Sequence, residues 1–177
     1  MQALNQLLEK IAKQKKTSYP FPDDLERYMQ DFVPSELMKE ETFQKVFKIT
    51  TEELERVYKE GYGFYLNENY SQSITIFRWL VFFNPYVSKF WIALGSSLHM
   101  SKEYEKALHA YGITAILRTQ DPSPHYYAYA CYSLLEEREE AEKALEIAWE
   151  KSQSPIYEKI RSQILKIKKQ QAICSEV

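Results

Sequence analysis

Glycine and cysteine are both scarce in this chain, with 4 Gly and 2 Cys in 177 residues. So few glycines fit an all-helical protein. Cys131 and Cys174 lie far apart and match no metal or redox spacing, and Cys131, inside a predicted helix, reads as a small packing hydrophobe. Long apolar runs are also missing. The longest strongly apolar stretch, from Trp79 to Phe83, is far short of the roughly 20 residues that a membrane-spanning helix needs, and the first residues lack the apolar core of a signal peptide. No charge of one sign dominates, since the net charge is -2 and the pI is near 6.0. That balance offers no global field to attract nucleic acid or an anionic membrane. These absences predict a soluble, cytoplasmic protein without nucleic-acid binding or stable membrane insertion.

Catalytic patterns are absent too. His99, His109 and His125 fall on different predicted helices without i, i+4 partners, which argues against a metal site. There is no phosphate loop, nucleophile elbow or paired-carboxylate motif, and the Glu-rich run at 136 to 140 reads as a solvated turn. The expectation is no enzyme and no cofactor.

A repeat is what the chain does have. Gly61 returns 34 residues later as Gly95, Tyr70 as Tyr104, Ser73 as Ala107, and Phe77 as Tyr111. A fixed step of about 34 residues is that of the tetratricopeptide helix-turn-helix unit. In the first unit Val57 takes the large apolar place, Gly61 the close-approach place, Ser73 the small helix-crossing place and Pro85 the terminator. The second unit uses Trp91, Leu94, Gly95, Leu98, Tyr104, Ala107 and Tyr111. A third follows in weaker form, with Ala141 and Leu145 one step beyond Ala107 and Tyr111, but Tyr129 stands where the glycine should be. A bulky residue there predicts a shifted helix crossing.

The fold predicted is an all-α tetratricopeptide-repeat solenoid of three units, at about 51–85, 86–119 and 120–153. An N-terminal helical extension (1–49) precedes it, and a capping helix with a tail (154–177) closes it. Leu4, Leu7, Leu8, Ile11 and Ala12 have helical spacing at the start of the extension, forming an amphipathic helix with no evident partner inside the chain. Thr17 to Pro22 reads as a breaker and hinge, and Asp23 as the cap of a short helix that Pro34 ends. Thr50 with Glu53 makes a capping box. Ser123-Pro124 and Ser154-Pro155 each read as a capping hydroxyl ahead of a proline at the first helical position. The basic face of the last helix, with Lys159, Arg161, Lys166, Lys168 and Lys169, reads as the polar outer face that a terminal repeat needs, in preference to a nucleic-acid contact.

In a stacked array the first helix of each pair lines a concave face, which makes its non-packing residues candidates for ligand contact. These are Tyr58, Tyr62, Tyr65 and Leu66 in the first unit; Lys89, Ile92, Ser96, His99 and Met100 in the second; and Tyr126, Ala130, Ser133 and Leu134 in the third. Such a surface is aromatic and apolar. It suits an extended peptide with spaced hydrophobic anchors, because Tyr offers large area at low entropic cost with a hydroxyl for peptide backbone. The same rings could instead pack between repeats. A two-carboxylate clamp for acidic C-termini is disfavoured, because Tyr58 and Tyr62 stand where it needs Lys and Asn, and Ser123 and Tyr127 stand where it needs Lys and Arg.

The stretches "TEELERVYKEGYGFYLNENY", "IFRWLVFFNPYVSKFWIALGSSLHMSKEYEKALHAYGITAIL" and "DPSPHYYAYACYSLLEEREEAEKALEIA", with the tail "ILKIKKQQAICSEV", resemble the class II chaperones of type III secretion, the SycD, LcrH and IpgC family. The resemblance covers about residues 50–177. It implies a cytoplasmic chaperone that binds hydrophobic translocator proteins before export, gripping an N-terminal Pro-x-Leu-x-x-Pro segment in the concave groove. Carried over, the groove positions are Tyr58, Tyr62, Tyr65, Leu66, Ile92, Ser96, His99 and Tyr126. It also implies a homodimer formed through the N-terminal region, which would give Leu4, Leu7, Leu8 and Ile11 a partner. Residues 1–49 are longer than the family's usual leader, and prolines 20, 22 and 34 with Leu25 and Leu37 faintly resemble the ligand motif. The alternative reading is a general tetratricopeptide scaffold for protein assembly.

Overall fold

A computed structural model describes residues 1–15 and 42–175. The breaker at Thr17 to Pro22, the helix expected between Asp23 and Pro34 and the ligand-like prolines all lie outside the described residues. Among those described there is no strand. The helices are α1 (Gln2–Lys15), α2 (Phe43–Val46), α3 (Thr51–Leu66), α4 (Tyr70–Phe83), α5 (Ser88–Met100), α6 (Tyr104–Leu117), α7 (Ser123–Leu134), α8 (Arg138–Lys151) and α9 (Glu158–Ser175), with a 3-10 turn at Pro155–Tyr157 before the last. The fold is all-α and of the tetratricopeptide-repeat class. Two compact units divide it, Met1–Ser97 and Leu98–Val177.

The repeat shows itself in the backbone. Glu68, Lys102 and Glu136, each 34 residues from the next, are left-handed with φ of 59°, 63° and 62°. Each follows the first helix of a pair. At the end of α3 the Glu68 N–H donates to Tyr65 O at 3.1 Å and the Asn69 N–H to Phe64 O at 2.9 Å. This is the Schellman arrangement, which satisfies carbonyls that a helix end leaves open. Lys102 and Glu103 repeat it onto His99 and Leu98, and Glu136 and Glu137 onto Ser133 and Tyr132. The third unit therefore keeps the turn geometry although it has lost the glycine of its first helix.

In the first unit, α3 starts where Thr50 and Glu53 form the expected capping box. Thr50 Oγ1 accepts from the Glu53 N–H at 3.2 Å, and Glu53 Oε2 accepts from the Thr50 N–H at 2.8 Å. Helix α4 packs on α3 and buries Ser73, Ile74, Ile76, Phe77 and the whole run from Trp79 to Phe83. A helix apolar all round needs cover on every side. Part of that cover comes from α2, whose Phe43 ring stacks on Phe82 with centroids 4.2 Å apart. Gly61 is what permits the α3–α4 approach, because a Cβ there would sit 2.8 Å from Ile76 Cγ2 and 3.1 Å from Phe77 Cε1. The small places are filled as the spacing predicts: Ser73 is fully buried, and its Oγ lies 2.8 Å from Ser97 Oγ.

Helix α1 overturns one expectation. Leu4, Leu7 and Ile11 are buried within the chain, where α1 packs on α3, and Leu8 alone of the four stays half-buried. The amphipathic helix thus has an intramolecular partner. In this arrangement Leu4, Leu7 and Ile11 are already covered and do not present an apolar face to a second copy. Polar contacts anchor the helix at its start and again at Lys10. The Glu60 carboxylate receives the Ala3 and Leu4 N–H groups at 3.3 and 3.2 Å and pairs with the Met1 ammonium at 2.5 Å, while Lys10 Nζ meets Glu53 Oε1 at 2.5 Å.

The compact unit Leu98–Val177 holds α6 to α9 and the end of α5. Ala107, Ala110, Tyr111 and Thr114 of α6 and Ala141, Ala144, Leu145 and Ala148 of α8 are buried. Two capping expectations fail here. Neither Ser123 nor Ser154 makes a side-chain capping bond. The reason at α7 is that Pro122 occupies the cap position, and the buried Asp121 carboxylate takes over, accepting from the Ser123 N–H at 2.9 Å and pairing with Arg118 at 3.0 Å. At Pro155 the chain makes a 3-10 turn first, and α9 proper begins at Glu158. Tyr129, in the lost glycine place, packs with Tyr126, Trp149, Ile160 and Ile167 against a buried cluster of Leu145, Ala148 and Ile164. Ring and capping helix fit together, so the bulky residue makes the seat for α9.

Candidate peptide-binding site

Helix α3 carries Tyr58, Tyr62, Tyr65 and Leu66 at steps of 4, 3 and 1 residues, which keeps them on one face. The rings form a row. Tyr58 and Tyr62 are 6.4 Å apart between centroids with planes 5° from parallel, and Tyr62 and Tyr65 are 6.1 Å apart at 16°. Tyr70, at the start of α4, meets Tyr65 edge-on at 5.8 Å and extends the row. Exposure grades along it. Tyr58 is half-buried against Phe77 and Phe90, at 5.5 and 6.0 Å, whereas Tyr62 is 46% exposed and Leu66 is 63% exposed. Tyr58 is therefore mainly a packing residue, and Tyr62 with Leu66 are the side chains free to meet a ligand.

Lys89 closes the Tyr58 end. Its Nζ stands 4.7 Å from the Tyr58 centroid and 5.7 Å from that of Phe90, and it forms an ion pair with Glu55. A cation over an aromatic face is held by the ring quadrupole. Burial, with Tyr62 and Glu55 nearby, pushes the Tyr58 hydroxyl above its ordinary pKa, so it stays neutral and able to donate. Ile92 and Ser96 on α5 are half-buried in the same unit, and Ser96 Oγ donates to Ile92 O at 2.9 Å, which turns the hydroxyl back onto its own helix. Tyr70 is the addition the structure makes to this site. Lys89 was legible as an outward position of its helix, while Tyr70 carried only its repeat pairing with Tyr104.

His99 and Tyr126 both lie in the compact unit Leu98–Val177. His99 meets Tyr104 edge-on at 5.6 Å, and its Nδ1 lies 3.4 Å from Cys131 Sγ. Burial lowers the imidazole pKa and raises that of the thiol to about 11, so both groups are neutral near pH 7 and the pair is no nucleophilic dyad. Tyr126 packs against the α8–α9 cluster and meets Tyr127 edge-on at 5.7 Å. Packing accounts for its position. Among the described residues no group of His, Cys, Asp and Glu could hold a metal ion, and no helix is long and apolar enough to cross a membrane.

A row of nearly parallel tyrosines with an exposed leucine and one held cation contains no nucleophile or acid–base pair. A family model described as tetratricopeptide repeat matches residues 88–121. Low calcium response locus protein H of Yersinia pestis is 28% identical over 109 residues, covering 62% of this chain and 65% of that protein's length. A chain of the CopN-Scc3 complex is 60% identical, with 94% of this chain and 99% of that one covered and a TM-score of 0.84. The Yersinia enterocolitica type III secretion chaperone SycD, solved with a peptide of the translocator YopD, shares the fold at 24% identity and a TM-score of 0.64, covering 67% and 91% of the two chains. Repeat period, tyrosine-lined first unit and these likenesses converge, and the chain belongs to the class II type III secretion chaperones of the SycD/LcrH family.

Proposed function

We propose that the chain is a cytoplasmic chaperone of a type III secretion system that holds an extended, apolar, proline-containing segment of a hydrophobic translocator along the tyrosine row of α3, keeping that protein soluble before export. The ring spacing carries the reading. An extended strand rises about 3.2–3.4 Å per residue and turns alternate side chains to one face, so these recur at about 6.4–6.8 Å, close to the 6.4 and 6.1 Å steps from Tyr58 to Tyr62 and from Tyr62 to Tyr65. Prolines restrict such a segment to extended backbone before it binds, which lowers the entropic cost of laying it on an aromatic row. The SycD chain of like fold holds a translocator peptide, which supports the same cargo class here.

The 60% match supports a second partner. That chain comes from a complex of CopN and Scc3, so a protein of the kind found in that assembly is a specific candidate. A homodimer is part of the reading. Leu4, Leu7 and Ile11 are covered within the chain, so a dimer would use other surfaces of the N-terminal region, with the half-buried Leu8 at its edge. Co-expression with a translocator and with a CopN-like protein, followed by affinity purification, tests the reading. Recovery of either at a fixed ratio supports it, and recovery of neither contradicts it.

A further inference from the structure

The compact unit Leu98–Val177 has a cleft that shares no residue with the tyrosine row. It has a volume of about 260 Å³ and lies across three helices, lined by Leu108, Gly112 and Ala115 of α6, Ala128 of α7, and Ala144 and Ile147 of α8. Gly112, Ala115, Ala128 and Ala144 leave the space open, and Tyr132 with the paired Glu140 and Lys143 also line it. Gly112 is exposed, and a Cβ added there meets no atom within 4 Å, while the cleft floor is closed by the buried Tyr111. His125 also lines it, and burial together with Lys151 holds the imidazole below its ordinary pKa, so this wall is uncharged near neutrality. The volume falls below the roughly 300–1,000 Å³ of sites for whole small molecules, and suits one or two apolar side chains presented by something larger.

What presents them is indicated by charge. Residues 136–150 hold seven glutamates against Arg138 and Lys143, in a chain whose net charge is only -2. Glu139, Glu142, Glu146 and Glu150 are all exposed and recur at helical spacing, forming a stripe along α8 beside Lys143 and Ile147 at the cleft. Lys143 is paired with Glu140 at 3.1 Å, and Lys168 reaches Glu146 only at 4.0 Å. An apolar slot flanked by a negative stripe complements one kind of surface, a helix with apolar anchors on one face and cations beside them.

We propose that the α6–α7–α8 cleft and the α8 glutamate stripe form a second docking surface, for a basic amphipathic helix of a partner protein that sets apolar side chains into the cleft and its lysines or arginines against Glu139, Glu142 and Glu146. The surface is independent of the tyrosine row.

The test uses the full chain and a fluorescent 18-residue Leu/Lys amphipathic helical peptide, read by anisotropy at low and high salt, with a Leu/Glu peptide of the same pattern as control. The expected results are saturable binding of the Leu/Lys peptide only, weakened by salt, with methyl NMR shifts at Leu108, Ala115, Ala128 and Ile147. Gly112→Met, which fills the cleft and replaces a helix-interior glycine without a clash, should weaken binding at least tenfold. Glu142→Lys with Glu146→Lys should do the same and flatten the salt dependence. Tyr62→Ala with Leu66→Ala should leave this binding unchanged, which separates it from the reading of the first unit. Binding indifferent to Gly112→Met, equal binding of the Leu/Glu peptide, methyl shifts at Leu66 and Ile92 instead, or self-association of the chain through this cleft would each overturn the proposal.

Discussion

The Glu60 carboxylate on α3 accepts a hydrogen bond from the Leu4 N–H at 3.2 Å, across 56 residues of sequence, so one helix caps the first turn of another. A negative group at a helix N-terminus satisfies open N–H donors and complements the dipole. Burial alone would raise the Glu60 pKa, but the Met1 ammonium and the Leu4 and Ala3 N–H groups outweigh it and hold the carboxyl below its usual value. Glu53 is lowered in the same way, by Lys10 and the Thr50 N–H against burial.

Because both folded-state values lie below the unfolded one, these groups contribute stability that is fully present above about pH 4.5 and is lost as pH falls through the folded values. The docking of α1 should therefore weaken in acid. Thermal melts from pH 7 to pH 3 should show Glu60→Gln less stable than the parent at neutral pH, with the gap closing below about pH 4.5. An equal gap at both ends would mean that the carboxylate does not hold α1.

Gly61 and Gly63, two residues apart on α3, should respond to alanine with opposite signs. An added methyl at Gly61 meets the rigid, fully buried Ile76 at 2.8 Å, and at Gly63 it meets nothing within 4 Å. Each change gains up to about 1 kcal/mol of helix propensity. At Gly61 overpacking of about 1–3 kcal/mol exceeds that gain. Chemical denaturation should thus place Gly61→Ala about 1 kcal/mol below the parent and Gly63→Ala slightly above it.

The left-handed Lys102, with φ of 63°, marks a place where a side chain costs stability. Left-handed backbone costs a residue with a Cβ roughly 1–2 kcal/mol, part of which glycine's greater unfolded freedom takes back. Lys102→Gly should stabilise the chain by about 0.5–1 kcal/mol, seen as a higher denaturation midpoint at unchanged slope. A lower midpoint would show that the lysine side chain contributes contacts that outweigh the strain.

Local signals were the ones the sequence carried well. Thr50 and Glu53 are three residues apart, so their capping box could be read directly, and Gly61, Ser73 and Ala107 announce close helix approach by their size alone. The α1 docking could not be read this way, because Glu60 and Leu4 are distant in sequence and neither helical spacing nor composition says which face an amphipathic helix will meet. Ser123 misled because Pro122 and Asp121 just ahead of it compete for the same cap. Tyr126 and Tyr58 sit at outward positions of their helices, yet neighbours from other elements claim them, Ile164 of α9 through the cluster it anchors and Phe90 of α5. The α6–α8 cleft left only a trace, a set of small residues at Gly112, Ala115, Ala128 and Ala144, and only their juxtaposition gives that trace meaning.

The central claim is that Tyr62 and Leu66 hold an extended segment without holding the fold. Isothermal titration of a synthetic peptide containing Pro-x-Leu-x-x-Pro tests it, comparing the parent with Tyr62→Ala/Leu66→Ala. Both side chains are substantially exposed, so the double variant should melt within a few degrees of the parent. Its affinity should fall at least tenfold, about 1.4 kcal/mol. Unchanged affinity in a folded double variant would contradict the account.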